Sequence, residues 1–390
     1  MAEAVARRQG ARIMRSAYLA LLALVAGCSV VPKGPPKTVD RPPVDVPDTV
    51  TPALPTDTER NRVALLVPLT GPNAGVGTSI SNAANMAVLD AGGARIRVTM
   101  YDTASGAAAA AQRAIADGNR LILGPLLAED VRAVSPVARN ARVPVVSFSN
   151  DTSVAGNGTF VMGSTPAQSV ERVVEFARSK GLSKFAGLVA GGLYGQRAST
   201  AFIRSVEASG GQVVAMQNYD RSAGSISAAV RRLNQSSSYE AILIADNGRT
   251  AVQAAPIIRA NGGASAKILG TELWNTEGAF AASPALRGAW FASVSDGLYS
   301  QLAAKYRVRF GKSPYRLASL GYDAVLLVTR IAGDWRPGTA FPAARLTDTG
   351  GIDGAFRFGR DGVVERALEV QQAGTGGSTV VSAAPRGFGN

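Results

Sequence analysis

From residue 62 onward, short apolar runs rich in Val, Ile and Leu alternate with segments whose apolar residues recur every three or four positions. The first pattern suits strands buried on both faces, and the second suits amphipathic helices. The alternation therefore predicts βαβ units and a mostly parallel sheet covered by helices. Strands are expected at 63–68, 95–101, 121–124, 144–147, 185–189, 212–217, 241–245 and 267–269. Helices are expected between them, and two more after residue 296, near 298–310 and 318–332, before a β-rich ending over 354–371. Two blocks of units, 62–162 and 166–270, are joined by Met162-Gly163-Ser164-Thr165-Pro166, which reads as a hinge. The expected fold class is α/β: two doubly wound Rossmann-like lobes with a hinge. Ligand sites of such lobes lie at the carboxyl ends of the strands, in the crevice between them.

The first 61 residues follow another pattern. Arg7, Arg8, Arg12 and Arg15 precede an apolar run, Ala17–Ala26, that is too short to span a bilayer. It ends in Val25-Ala26-Gly27-Cys28, which resembles the lipobox of bacterial lipoproteins and makes Cys28 the expected lipidation site, with residues 1–27 as the signal peptide. Met14 is an alternative start. Ser29 after the cysteine matches the outer-membrane sorting pattern of Gram-negative lipoproteins, so the expected location is the periplasm, anchored to the inner leaflet of the outer membrane. Residues 28–61 carry Pro32, Pro35, Pro36, Pro42, Pro43, Pro47, Pro52 and Pro55 and read as an extended tether.

Composition narrows the chemistry. The 390 residues include no histidine and one cysteine, which excludes His-based catalysis, His metal sites and an intramolecular disulfide. Gly311-Lys312-Ser313 lacks the earlier glycine of a phosphate-binding loop, because Tyr306 stands there. Neither a Gly-x-Ser-x-Gly elbow nor a Ser-x-x-Lys motif occurs. No enzyme activity, catalytic residue, metal or cofactor is expected. The net charge of +13 falls to about +10 without residues 1–27, which hold four Arg and one Glu. That excess favours acidic partners, with nucleic acid not expected in a protein of the periplasm.

Several stretches resemble the type I periplasmic binding proteins, the leucine/isoleucine/valine-binding class. Val63-Ala64-Leu65-Leu66-Val67-Pro68-Leu69-Thr70-Gly71-Pro72 is similar to their first strand and loop. Leu123-Gly124-Pro125-Leu126 and Pro144-Val145-Val146-Ser147-Phe148-Ser149-Asn150-Asp151 are similar to their third and fourth strand ends. Gly192-Leu193-Tyr194-Gly195 and Leu320-Gly321-Tyr322-Asp323-Ala324 match a loop and a late helix. Within the superfamily, the wording on a lipoprotein looks most like the penicillin-binding protein activators of the LpoA type. The resemblance implies three chain crossings, with lobe 1 formed by 62–164 plus 296–347 and lobe 2 by 165–295 plus 348–390.

In amino-acid receptors of that superfamily, a Ser/Thr-rich turn after the third strand holds the α-carboxylate of the ligand. Here the turn is Gly124-Pro125-Leu126-Leu127-Ala128, which has no hydroxyl and lacks one backbone N–H at Pro125. The resemblance leaves Ser149, Asp151, Tyr194, Asn247 and Glu272 as candidate cleft contacts, with Glu272 preferred over Asp246 and Glu277 for an ammonium-binding acid. Two functions follow. The main expectation is an outer-membrane lipoprotein that binds and activates a class A penicillin-binding protein, a bifunctional peptidoglycan synthase, with peptidoglycan as a further partner. The other is a periplasmic receptor for an amino acid or amide, a small-molecule ligand serving ABC transport or sensing.

Overall fold

A computed structural model describes residues 59–236, 238–276, 283–346 and 349–388. The expected signal peptide, Cys28 and the proline-rich tether lie outside the described residues. Among those described, no helix is long and apolar enough to cross a membrane.

The first lobe is built from β1 (Asn61–Val67), α1 (Ala74–Asp90), β2 (Ile96–Asp102), α2 (Ala107–Ala116), β3 (Ile122–Leu123), α3 (Ala128–Asn140), β4 (Val145–Ser147) and β5 (Thr159–Val161). Its strands form a parallel sheet in the order β2-β1-β3-β4-β5. The apolar run of β1 serves both faces at once. Val63, Leu65 and Val67 enter one core, while Ala64 and Leu66 enter the other. This two-sided burial is why the strand reads as continuous rather than alternating.

The chain crosses at residues 162–165 into the second lobe. There α4 (Pro166–Ser179), β6 (Lys184–Ala190), α5 (Leu193–Ala208), β7 (Gln212–Tyr219), α6 (Ala223–Ser236), β8 (Ala241–Ala245), α7 (Gly248–Ala260), β9 (Lys267–Gly270) and β10 (Trp290–Ser293) follow in turn. Helix α4 buries Val170, Val173, Val174 and Ala177, the one-face spacing of an amphipathic helix, against Phe185 and Val189 of β6. Gly163 lies in the crossing, where a Cβ would come within 2.5 Å of the Phe148 and Ser149 carbonyl oxygens, so the backbones approach too closely for a side chain.

After β10 the chain returns to the first lobe as α8 (Gly297–Phe310) and α9 (Ala318–Ile331). Leu302 and Tyr306 of α8 pack on Met86, and Leu320, Ala324, Val325 and Val328 of α9 join the core under β1. A small antiparallel sheet then forms from β11 (Thr349–Gly351), β12 (Gly354–Phe358) and β13 (Val364–Arg366). Of the stretch 348–390 expected in the second lobe, residues 349–366 pack on the first lobe instead. Phe356 and Val364 are fully buried in the first-lobe core, because that core is completed by this small sheet. The last crossing comes after Arg366. The hairpin β14 (Glu369–Gly374) and β15 (Gly377–Ser382) then adds antiparallel to β10, giving a sheet of order β15-β14-β10-β9-β8-β6-β7.

The first and last crossings are tied together. Buried Arg366 donates from Nη2 to the Met162 carbonyl at 2.8 Å, and the Val161 N–H donates to the Gly362 carbonyl at 2.8 Å.

Candidate functional site

A cleft of about 630 Å³ opens between the lobes at the carboxyl ends of the strands. Its first-lobe wall comes from the start of α1 and the loops after β1, β3 and β4: Val76, Asn73, Leu126 and Leu127, Phe148 and Asn150. Its second-lobe wall comes from the ends of β9 and β10: Glu272, Leu273, Asn275, Ser293 and Val294. The approach to α9 and the β11–β12 turn close it with Tyr315, Arg316, Leu317, Ser319 and Asp353.

The turn after β3 is spent on itself. Gly124 has φ +89°, and a Cβ there would sit 2.1 Å from the Leu66 carbonyl oxygen. The Pro125 carbonyl accepts from the Ser147 hydroxyl at 3.1 Å and from the Phe148 N–H at 2.9 Å. Leu127 caps α3 without a side-chain hydrogen bond, and Glu129 and Asp130 occupy the first turn of that helix. The turn presents leucine side chains to the cleft, and none of residues 124–128 carries a hydroxyl.

Of the five candidate contacts, Glu272 lines the cleft, and the structure sets the others in internal bonds. The Ser149 hydroxyl accepts from the Asp151 N–H at 3.1 Å. Asp151 accepts from the Ser153 N–H at 2.8 Å and from Arg132 Nη2 at 2.7 Å, and it also pairs with Arg197 of the other lobe. Burial would raise the Asp151 carboxyl, but the bonds from Ser153 and Arg197 outweigh it and hold the pKa at about 2. Asn247 caps α7, its side chain accepting from the Thr250 N–H at 2.9 Å.

Tyr194 and Glu272 do meet. The tyrosine hydroxyl lies 3.1 Å from Glu272 Oε1 and 2.9 Å from Thr271 Oγ1, and the Ser169 hydroxyl donates to the same carboxylate. Burial pushes the Glu272 carboxyl above the usual carboxylate range, against the lowering effect of those donors. Beneath it, Trp274 is fully buried and donates from its indole N–H to the Asp246 carbonyl at 3.1 Å.

Arg316 and Asp353 were not legible as site residues. Arg316 is a lone cation just before a helix, and Asp353 sits in a turn that the resemblance places in the other lobe. Neither carries a spacing signal, and their meeting depends on the β11–β13 sheet packing against the start of α9. Arg316 Nη1 donates to Asp353 Oδ1 at 2.7 Å, and the Ser319 hydroxyl donates to Asp353 Oδ2 at 2.7 Å. Among the described residues no cluster of three or more His, Cys, Asp or Glu side chains could hold a metal ion.

Two α/β lobes, three crossings and a cleft at the strand ends define the type I periplasmic binding architecture. The periplasmic binding protein family model matches residues 61–378, and the chain belongs to that family. A solved structure of a putative branched-chain amino acid ABC transporter protein from Rhodospirillum rubrum superposes with a TM-score of 0.72 at 19% identity, covering 83% of this chain and all of that one. A solute binding protein from Rhodopseudomonas palustris in complex with 3,4-dihydroxy benzoic acid gives 0.64 at 21% identity, covering 85% and 97%. The leucine binding protein LivK from Thermotoga maritima gives 0.62 at 18% identity, covering 83% and 98%. At these identities the likeness is one of fold. Among curated sequences, the uncharacterized protein RP748 of Rickettsia prowazekii is 28% identical over 116 residues, which span 29% of this chain and about a third of that protein's length.

Proposed function

We propose that this protein is a periplasmic solute-binding receptor, non-catalytic in itself, that captures a small molecule between its lobes for ABC transport or sensing. The observation that carries the reading is the cleft of about 630 Å³, where apolar walls from Leu126, Leu127, Phe148 and Val294 surround a few polar groups. Concave sites of this size and mixture are typical of small-molecule binding. Its place at the carboxyl ends of two wound sheets supports the same reading. Membership of the periplasmic binding protein family agrees with it.

A ligand that binds the folded state and not the unfolded one stabilises the fold by mass action. Thermal unfolding is therefore measured with leucine, isoleucine, their amides and a series of aliphatic and aromatic monocarboxylates that includes benzoate. A rise of several degrees with one chemical group of solutes is expected. A flat response across the whole series overturns the receptor reading.

A second reading is favoured by the turn after β3, which offers no hydroxyl to an amino-acid carboxylate. In it the module, lipidated at Cys28 and held at the outer membrane, activates a class A penicillin-binding protein by contact, with peptidoglycan alongside. Capture of crosslinked partners from cells separates the two. Recovery of a bifunctional synthase supports the second reading, and recovery of an ABC permease supports the first.

A further inference from the structure

The cleft lies at the carboxyl ends of the strands, and the opposite end of the first lobe carries a different surface. There the strands begin and the helices finish. Arg60 and Arg62 flank the start of β1, Arg95 and Arg97 flank the start of β2, and Arg120 and Arg142 lie just before β3 and β4. Backbone pairing draws these positions together. Arg62 and Arg97 are partners in register, the Arg120 N–H donates to the Arg62 carbonyl at 3.0 Å, and the Asn61 N–H donates to the Arg95 carbonyl at 2.9 Å. Arg95, Arg97, Arg120 and Arg142 are exposed, and none of the four forms an ion pair among the described residues. Helices α2, α3 and α9 add Arg113, Arg139 and Arg330 in their last turns at the same end. Of the carboxylates here, Asp90 pairs with Lys305 at 2.5 Å and Asp334 with Arg345 at 3.3 Å, while Asp117 accepts from the Tyr101 hydroxyl at 2.7 Å.

Arginine in the last turn of a helix is ordinary, because it complements the helix dipole. The arginines at the strand starts gain nothing from that source. Like charges gathered on one face repel and lower the stability of the fold, and an anionic partner removes the repulsion. The matching end of the second lobe is built otherwise. Its arginines serve the protein itself. Arg178 donates to the Leu182 and Ser209 carbonyls at 2.8 and 2.9 Å, and Arg259 Nη1 donates to the Ala266 carbonyl at 2.7 Å. The excess of positive charge on the first lobe is therefore a property of one face.

The chain enters the fold at this same end. Residues 1–58, with the apolar run 17–26 and Cys28, are joined to it through Glu59 and Arg60. We propose that this end of the first lobe docks on an anionic phospholipid surface, with its arginines over the lipid phosphates. The planar guanidinium fork suits phosphate oxygens. Basic clusters are drawn to anionic leaflets within a Debye length, about 10 Å at 0.1 M salt. Seated in this way, the first lobe lies against the bilayer and its cleft end points away from it. The inference is independent of what the cleft takes.

The test uses the full chain with Cys28→Ser, which no acyl chain can fix to a membrane. Cosedimentation measures its partition onto vesicles of phosphatidylcholine and of an equal mixture with phosphatidylglycerol. The coefficient is expected to be at least about tenfold higher on the anionic vesicles and to fall with added salt. Changing Arg95→Glu, Arg120→Glu and Arg142→Glu together should lower it at least about tenfold. The matched set Arg204→Glu, Arg231→Glu and Arg232→Glu, on α5 and α6 of the second lobe, should leave it within about twofold. Residues 1–58 are common to every form, so the difference between the two variants reports the face. A loss shared equally by both variants assigns the attraction to net charge, and an unchanged coefficient in the first assigns it to another surface; either result overturns the inference. Retention on peptidoglycan sacculi with no preference for anionic vesicles overturns it as well. Should the charge reversal unfold the protein, Arg95→Gln, Arg120→Gln and Arg142→Gln together should give a smaller loss in the same direction, and the absence of any loss counts against the face.

Discussion

Asp151 shows how a side chain that reads as a ligand donor can be satisfied by the protein itself. It follows β4 in the first lobe, and its partner Arg197 projects from α5 in the second. With Arg132 on its other oxygen, the carboxylate joins the lobes by an ion pair that is 3% exposed on the aspartate side. Removing one member of a buried pair leaves the other uncompensated. Asp151→Asn should therefore lower unfolding stability at neutral pH by about 2 kcal/mol, read from urea titration. The pH dependence has a defined sign. The folded pKa of Asp151 is about 2, below its ordinary 3.8, so its contribution is complete above about pH 4 and fades as pH falls toward 2. The difference between native and Asp151→Asn proteins should shrink over that window; a difference that stays constant there removes the ion pair as its source. At this scale the sequence was informative about residue type and silent about partner. Ser149, Asp151 and Asn247 have the short polar side chains of ligand contacts, and the same chemistry makes them good caps and turn formers.

At the scale of elements, legibility followed burial pattern. Strands such as β1 and β8, buried along nearly their whole length, announce themselves as apolar runs. Helices such as α4 do so through their one-face spacing. Strand β5 has three residues, and β10 has four in a stretch broken by glycine and proline on its N-terminal side. Neither stretch carries a Val/Ile/Leu run of the kind that marks the equally short β3 and β4. Strands β12 and β13 were legible as β structure but not in their lobe, and β11 fell before the expected β-rich ending, since alternation shows which face is apolar and not what it will cover. Phe356→Ala measures that placement. The ring is fully buried and packs edge-on to Phe358. Its truncation should cost about 3–5 kcal/mol, as for other large-to-small changes in cores. Backbone amides of β1 and α9 should then exchange with solvent faster than those of β6 and β8; the reverse order would return the small sheet to the second lobe.

For the whole molecule, the two wound lobes and the first crossing were readable from residue pattern. The last crossing was not, because a chain that leaves and re-enters a core by a few short strands has no signature of its own. The cleft inherits this limit. Its polar end depends on Arg316 and Asp353, which lie 37 residues apart and meet only after the small sheet docks. The bond from Arg366 to the Met162 carbonyl has a mechanical corollary. Two covalent connections that could each bend alone are pinned side by side, so any rotation of one lobe against the other must turn both about a common axle. Arg366→Met, similar in bulk but with no donor, should uncouple them. Hydrogen exchange would then quicken at residues 162–165 while the sheets of both lobes stay protected. A bearing that works as a unit permits a swing and resists a slide, the restriction that the proposed capture of a small solute between the lobes requires.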